Sequence, residues 1–126
     1  LATQQDLNYQ LALGLQNNRQ YRKALKYFEE NIGPDNPHML SLYQAAKTRI
    51  LGGFEPDVAI KILDRYIQLA DKNSQPSIAG AYWRTGIACE QAGDTERAIT
   101  SYRQCLKYDA TFSESREALA KLGVVD

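Results

Sequence analysis

Between Ala79 and Ala110 the chain reads AGAYWRTGIACEQAGDTERAITSYRQCLKYDA, and its order of small and large residues leaves few folds open. Tyr82, Gly86 and Cys89 stand at i, i+4 and i+7, one face of a first helix. Glycine inside a helix costs about 1 kcal/mol against alanine, so Gly86 calls for a packing reason. Close approach of a partner helix, which a side chain would block, supplies it. Ala98, Tyr102, Cys105 and Leu106 form one stripe of a second helix, and Ala98 is the small residue expected to meet Gly86 at the crossing. Gly93-Asp94 marks the turn between them. Such a pair cannot bury both faces alone, so it needs neighbours.

The rest of the chain offers them. Asp6 to Gln16 is expected as a first helix with Leu7, Leu11, Ala12 and Leu15 inward, followed by a turn at Asn17-Asn18-Arg19. Tyr21, Ala24, Leu25, Phe28 and Ile32 then repeat at helical spacing. Asn36-Pro37 reads as an N-cap followed by a first-turn proline, opening a third helix that runs from Pro37 to Leu51 and stops at Gly52-Gly53. Pro56 opens a fourth, with Val58, Ala59, Ile62, Leu63, Tyr66 and Ile67 as a wide apolar stripe. Ala24, Ala59 and Ala98 thus recur at spacings of about 35 and about 39 residues, the second stretched by a polar loop from Asp71 to Ser77. Thr111 and Glu114 form a capping-box pattern for a last helix to Leu122, with Ser115, Ala118, Leu119 and Leu122 inward.

Taken together, Tyr82, Thr85-Gly86, Cys89, Ala98, Tyr102 and Ala110 resemble the tetratricopeptide repeat, whose period is about 34 residues. Leu11-Ala12, Leu15, Ala24 and Phe28 resemble it again, as do Ala59 and Leu63. Counted back from Gly53, Ala45-Ala46 fill the Leu-Gly place, and Arg49 falls inward, where a charge needs partners. The resemblance implies an all-α fold: an α-α superhelix, or solenoid, of three helix-turn-helix repeats with a C-terminal capping helix. The expected organisation is a single domain over 1–126, with repeats at about 5–36, 37–71 and 79–112 and the capping helix at about 112–123.

In that family the first helices of the repeats line a concave groove. The matching positions are Tyr9, Leu13, Gln16 and Asn17 in the first repeat, and Tyr43, Lys47, Ile50 and Leu51 in the second. In the third they are Trp83, Ile87, Glu90 and Gln91, with Arg84 beside them. Tyr and Trp in a concavity offer large contact area at low entropic cost. The competing reading makes Trp83 and the tyrosines plain inter-helix packing. A clamp for chaperone C-termini is not expected: Tyr9 and Leu13 replace the lysine and asparagine it needs, and Arg84 alone resembles a clamp residue.

The chain of 126 residues carries 15 basic and 15 acidic side chains, a balance that argues against a dedicated nucleic-acid binder. It has no run of 18 apolar residues, so no membrane insertion is expected. The polar N-terminus lacks a signal-peptide core, and a start at Leu1 reads as part of something longer. Cys89 and Cys105 fall on apolar stripes and read as buried thiols. His38 reads as an exposed first-turn residue, and without neighbouring ligands or a nucleophile it suggests neither metal nor base. Asp94 and Glu96 suit a helix start, and Arg19, Arg22, Lys23 and Lys26 a solvated face.

No cofactor, metal or catalytic residue is expected. The expected role is a non-catalytic protein–protein interaction scaffold that holds a peptide or helix in its groove. The alternative is an accessory or oligomerisation module of a larger bacterial enzyme or of a secretion or envelope-assembly protein. A homo-oligomer joined through the end of the first repeat is a third reading.

Overall fold

A computed structural model describes residues 1–125. Among them are seven helices and no strand: α1 (Gln4–Asn17), α2 (Tyr21–Glu30), α3 (Met39–Gly52), α4 (Pro56–Leu69), α5 (Ile78–Gln91), α6 (Thr95–Tyr108) and α7 (Ser113–Lys121). Each helix packs on the next, which gives three antiparallel pairs and a seventh helix on α6. The fold is an all-α solenoid of repeated helix pairs.

Local signals set most helix ends. Thr3 and Asp6 form a reciprocal capping box at the start of α1. Gly53 closes α3 in the left-handed region with φ of 71°, a conformation glycine adopts without steric cost. Pro56 supplies the first residue of α4, and the Asp94 side chain accepts from the Arg97 amide to open α6.

Two expected starts differ. The α3 N-cap is His38 rather than Asn36: its Nδ1 accepts from the Ser41 amide at 3.2 Å and lies 2.6 Å from the Ser41 hydroxyl, while Pro37 is buried just before it. His38 is accordingly half-buried, with Tyr9 edge-on to its ring at 5.4 Å. At α7 the Thr111–Glu114 capping box does not form. Thr111 donates instead to Asp109, so Phe112 becomes the N-cap and makes no side-chain cap bond.

Neighbouring pairs meet through small residues. Ala12, Ala24 and Ala45 are fully buried with Phe28 in one cluster, while Ala59, Leu63, Tyr66, Cys89, Ala98 and Tyr102 belong to a second. A Cβ on Gly86 would overlap the Tyr102 ring, lying 2.6 Å from Cδ1 and 2.7 Å from Cζ. The glycine leaves the room that the tyrosine ring occupies. The Tyr102 hydroxyl then donates to the Glu90 carboxylate.

The first helix departs from its expected facing. Its buried stripe is Asn8, Ala12 and Gln16, and Leu7 and Leu11 are exposed. The reason is stacking. Their counterparts on α5, Ala81 and Thr85, are buried in the body of the array, where α5 has α4 before it. Leu7 and Leu11 lie on the end of the array. The polar residues that turn inward are paired: Asn8 donates to Asn31 Oδ1 at 3.2 Å, and Asn31 donates to Ser41 Oγ and to the Gln5 carbonyl, each at 3.0 Å. Buried polar groups with partners avoid the desolvation cost of orphaned ones.

Burial also holds several tyrosine hydroxyls protonated. It raises the pKa of Tyr43 and Tyr102, and pushes Tyr66 up to about 12. A folded-state value above the unfolded one (about 10) means that the folded chain holds protons longer. Stability should therefore be flat below about pH 10 and fall as pH rises through about 12. Urea midpoints taken across this range check it, and a midpoint that stays level throughout would refute the burial argument.

Candidate functional site

The odd-numbered helices form one row. Gln16 on α1 donates to Gln44 at 2.9 Å and to Thr48 at 3.0 Å, both on α3. Gln91 at the end of α5 donates to the Ile50 carbonyl of α3 at 3.0 Å. Trp83 of α5 meets Phe112, which opens α7, with ring centroids 5.7 Å apart. The even helices form a second row, tied by the Arg97–Asp64 ion pair at 2.8 Å between α6 and α4. Arg65 of α4 adds bonds to the Gly33 and Pro34 carbonyls beyond α2.

Residues expected in a groove separate into three groups on the odd row. Tyr9 and Leu13 are half-buried beside Phe28, with Tyr9 edge-on to that ring at 5.8 Å. Gln16 and Tyr43 are buried, Gln16 in the hydrogen bonds above and Tyr43 edge-on to Tyr66 at 5.3 Å. Lys47, Trp83, Arg84 and Ile87 are half-buried and Glu90 is exposed. The Arg84 guanidinium lies 4.5 Å from the Trp83 ring centroid, so the indole is in contact with Phe112 and Arg84 while part of it still meets solvent. Trp83 is thus both a packing residue and a surface one.

A cleft of about 420 Å³ opens where α5 and α7 meet. Trp83, Ile87 and Glu90 line one side, and Glu117, Ala118 and Lys121 the other. Sequence reasoning missed the α7 side. The signal was present: Glu117 and Lys121 fall about one 34-residue period after Trp83 and Ile87, so α7 occupies the place of a further first helix.

At the middle of the row Lys47 of α3 lies within the electrostatic influence of Arg84 of α5. Burial and the Arg84 charge both push the Lys47 pKa down. Burial raises Tyr43 while the same guanidinium, beside its hydroxyl, opposes that rise. Among the described residues, neither cation has a carboxylate within ion-pair distance. The Arg84 Nε is shut off from water without a hydrogen-bond partner.

Residues 79–112, spanning α5, α6 and the approach to α7, match the tetratricopeptide repeat family. That segment is a tetratricopeptide repeat. No curated protein matches the chain. Tetratricopeptide repeats are generally non-catalytic protein–protein interaction modules, so the repeat suggests a scaffold with a protein partner.

The two thiols lie inside the third helix pair, the one that matches the family. Cys89 and Cys105 are free and fully buried, and burial raises the pKa of each, which suppresses the reactive thiolate. A thiol reagent should modify neither at an appreciable rate in the native protein and both in urea, read by absorbance. Two fast-reacting native thiols would contradict the packing. The described residues contain no group of three or more His, Cys, Asp or Glu side chains placed to hold a metal ion. No helix among them is long and apolar enough to cross a membrane.

Proposed function

We propose that the chain works as one domain over 1–126, with repeats at about 5–36, 37–71 and 79–112, and binds an extended peptide or helix of a partner along its odd-helix face. The observation that carries this reading is the half-open indole of Trp83 at the mouth of the α5–α7 cleft, with Ile87 beside it. An aromatic that is partly covered and rimmed by polar groups is the usual anchor of a protein interface. Tyr9, Leu13 and Lys47 extend the surface along the row, while Gln16 and Tyr43 hold its floor in place.

The test is capture of partners from a lysate by the wild-type domain and by Trp83→Ala, after circular dichroism has shown both to be equally helical. Loss of an anchoring tryptophan should weaken a captured partner by about thirtyfold, roughly 2 kcal/mol. A partner retained equally by both proteins, or by neither, would overturn the groove reading.

A further inference from the structure

We propose that a cavity on the even-helix row, between α2 and α4, binds a small amphiphile: an aliphatic chain of medium length ending in one carboxylate. The site lies away from the odd-helix face and stands without the groove reading.

The cavity holds about 380 Å³, within the range of about 300–1,000 Å³ usual for small-molecule sites. Its walls are apolar. Val58 and Ile62 come from α4, Ile32 from the turn after α2, and the buried Leu42 of α3 closes the floor. Ile32 and Ile62 pack against both core clusters, so the cavity opens onto the seam between them. Methyl groups facing water at such a seam favour any apolar group that covers them.

Polar contacts close the cavity at each end. Along α4, Val58 and Ile62 fall between Glu55 and Arg65. On the Glu55 side, Arg49 bonds to that carboxylate at 3.2 Å and to Glu29 of α2 at 3.4 Å. On the other side, Arg65 donates to the Gly33 carbonyl at 2.8 Å and to that of Pro34 at 3.0 Å. These bridges flank the apolar walls, so an extended peptide finds no open-ended channel. A compact chain entering from outside does find room.

Charge chooses the head group. Arg49 is already matched by Glu29 and Glu55. Lys61 and Arg65 line the same cavity at i and i+4 on α4, one helix face. Among the described residues, neither has a carboxylate within ion-pair distance. The carbonyls that Arg65 meets are neutral and leave its charge uncompensated. A carboxylate at the mouth would accept charge-assisted hydrogen bonds from both side chains, whereas an ammonium head would meet two like charges.

Titration of the isotope-labelled chain with sodium octanoate, kept below its micelle-forming concentration and followed by amide NMR shifts, tests this. Signals of Ile32, Val58 and Ile62 should move saturably. Each methylene added from hexanoate to decanoate should tighten binding about threefold. Octyltrimethylammonium should bind about tenfold more weakly than octanoate, and Lys61→Glu, an exposed change, should weaken octanoate by about the same factor. Val58→Trp, which fills the cavity from its exposed wall, should abolish binding while the circular dichroism stays unchanged. No saturable shift at these residues, no gain with chain length, or equal binding of the two head groups would overturn the proposal. So would dimerisation in sedimentation that Val58→Trp abolishes, which gives the cavity to a second copy.

Discussion

Tyr102→Ala should cost the fold about 3–5 kcal/mol, the range for emptying a well-packed aromatic site. The ring is 1% exposed, packs against Gly86, and carries a hydroxyl bonded to Glu90. Domain stabilities of about 5–15 kcal/mol make this a large fraction of the total. The same geometry sets a sign test. Gly86→Ala should itself destabilise by about 1–3 kcal/mol, because the added methyl lands on ring atoms that cannot swing aside. In the Tyr102→Ala background that clash is gone, and the better helix propensity of alanine should make the same change neutral or stabilising by up to about 1 kcal/mol. Urea unfolding of the four proteins gives the coupling. If Gly86→Ala is equally damaging with and without the ring, the close approach is not what the glycine is for.

A second large effect is expected at Arg49. Its side chain is 7% exposed, and it donates to Glu29 at 3.4 Å, Glu55 at 3.2 Å and the Ala45 carbonyl at 3.1 Å. These bonds join α2, α3 and the residue before α4 at one point. Replacing both carboxylates with glutamine leaves a buried cation without an anion, worth about 3–5 kcal/mol for a fully buried pair. Glu29 and Glu55 are 51% and 48% exposed, so about 2–4 kcal/mol is the better expectation. Arg49→Met, which removes the charge and keeps the volume, should cost less than Glu29→Gln/Glu55→Gln. Equilibrium unfolding in urea ranks them, and the reverse order would show that the cluster stabilises through its charge rather than merely tolerating it.

Arg49 also shows where sequence reading stops. Its inward position followed from counting back from Gly53, but its partners lie on α2 and in the turn before α4, and nothing local announces them. The small-residue positions were legible because each one answers a steric demand of its own pair, as Gly86, Ala98 and Ala24 do. The capping signals Pro56 and Asp94 were legible for the same reason. Asn8 and Gln16 were not, since buried amides look like surface residues until their distant partners are in place. Leu7 and Leu11 misled in the opposite sense: helical spacing says that two leucines share a face, not that a neighbour covers it. At α3 a histidine outcompeted the expected asparagine cap because its ring nitrogen reaches the Ser41 amide. On the odd-helix face the aromatics stood out, whereas the influence of the Arg84 charge on Lys47 depends on how helices about 37 residues apart are stacked.

A stack of helix pairs is mechanically a spring, able to open and close by small rotations at each junction. Here both sides of the coil are laced. Gln16–Thr48 and Gln91–Ile50 cross the inner junctions, and Arg65–Gly33 and Arg97–Asp64 cross the outer ones. Rotation in either direction must stretch bonds on one side, so the coil is stiffened against both. If the odd-helix face is the one a partner uses, as proposed above, a stiffened stack presents it already ordered, and association then spends little entropy on ordering the scaffold. Most of the ordering falls on the partner, and discrimination between partners rests on how well each fits a shape that does not yield.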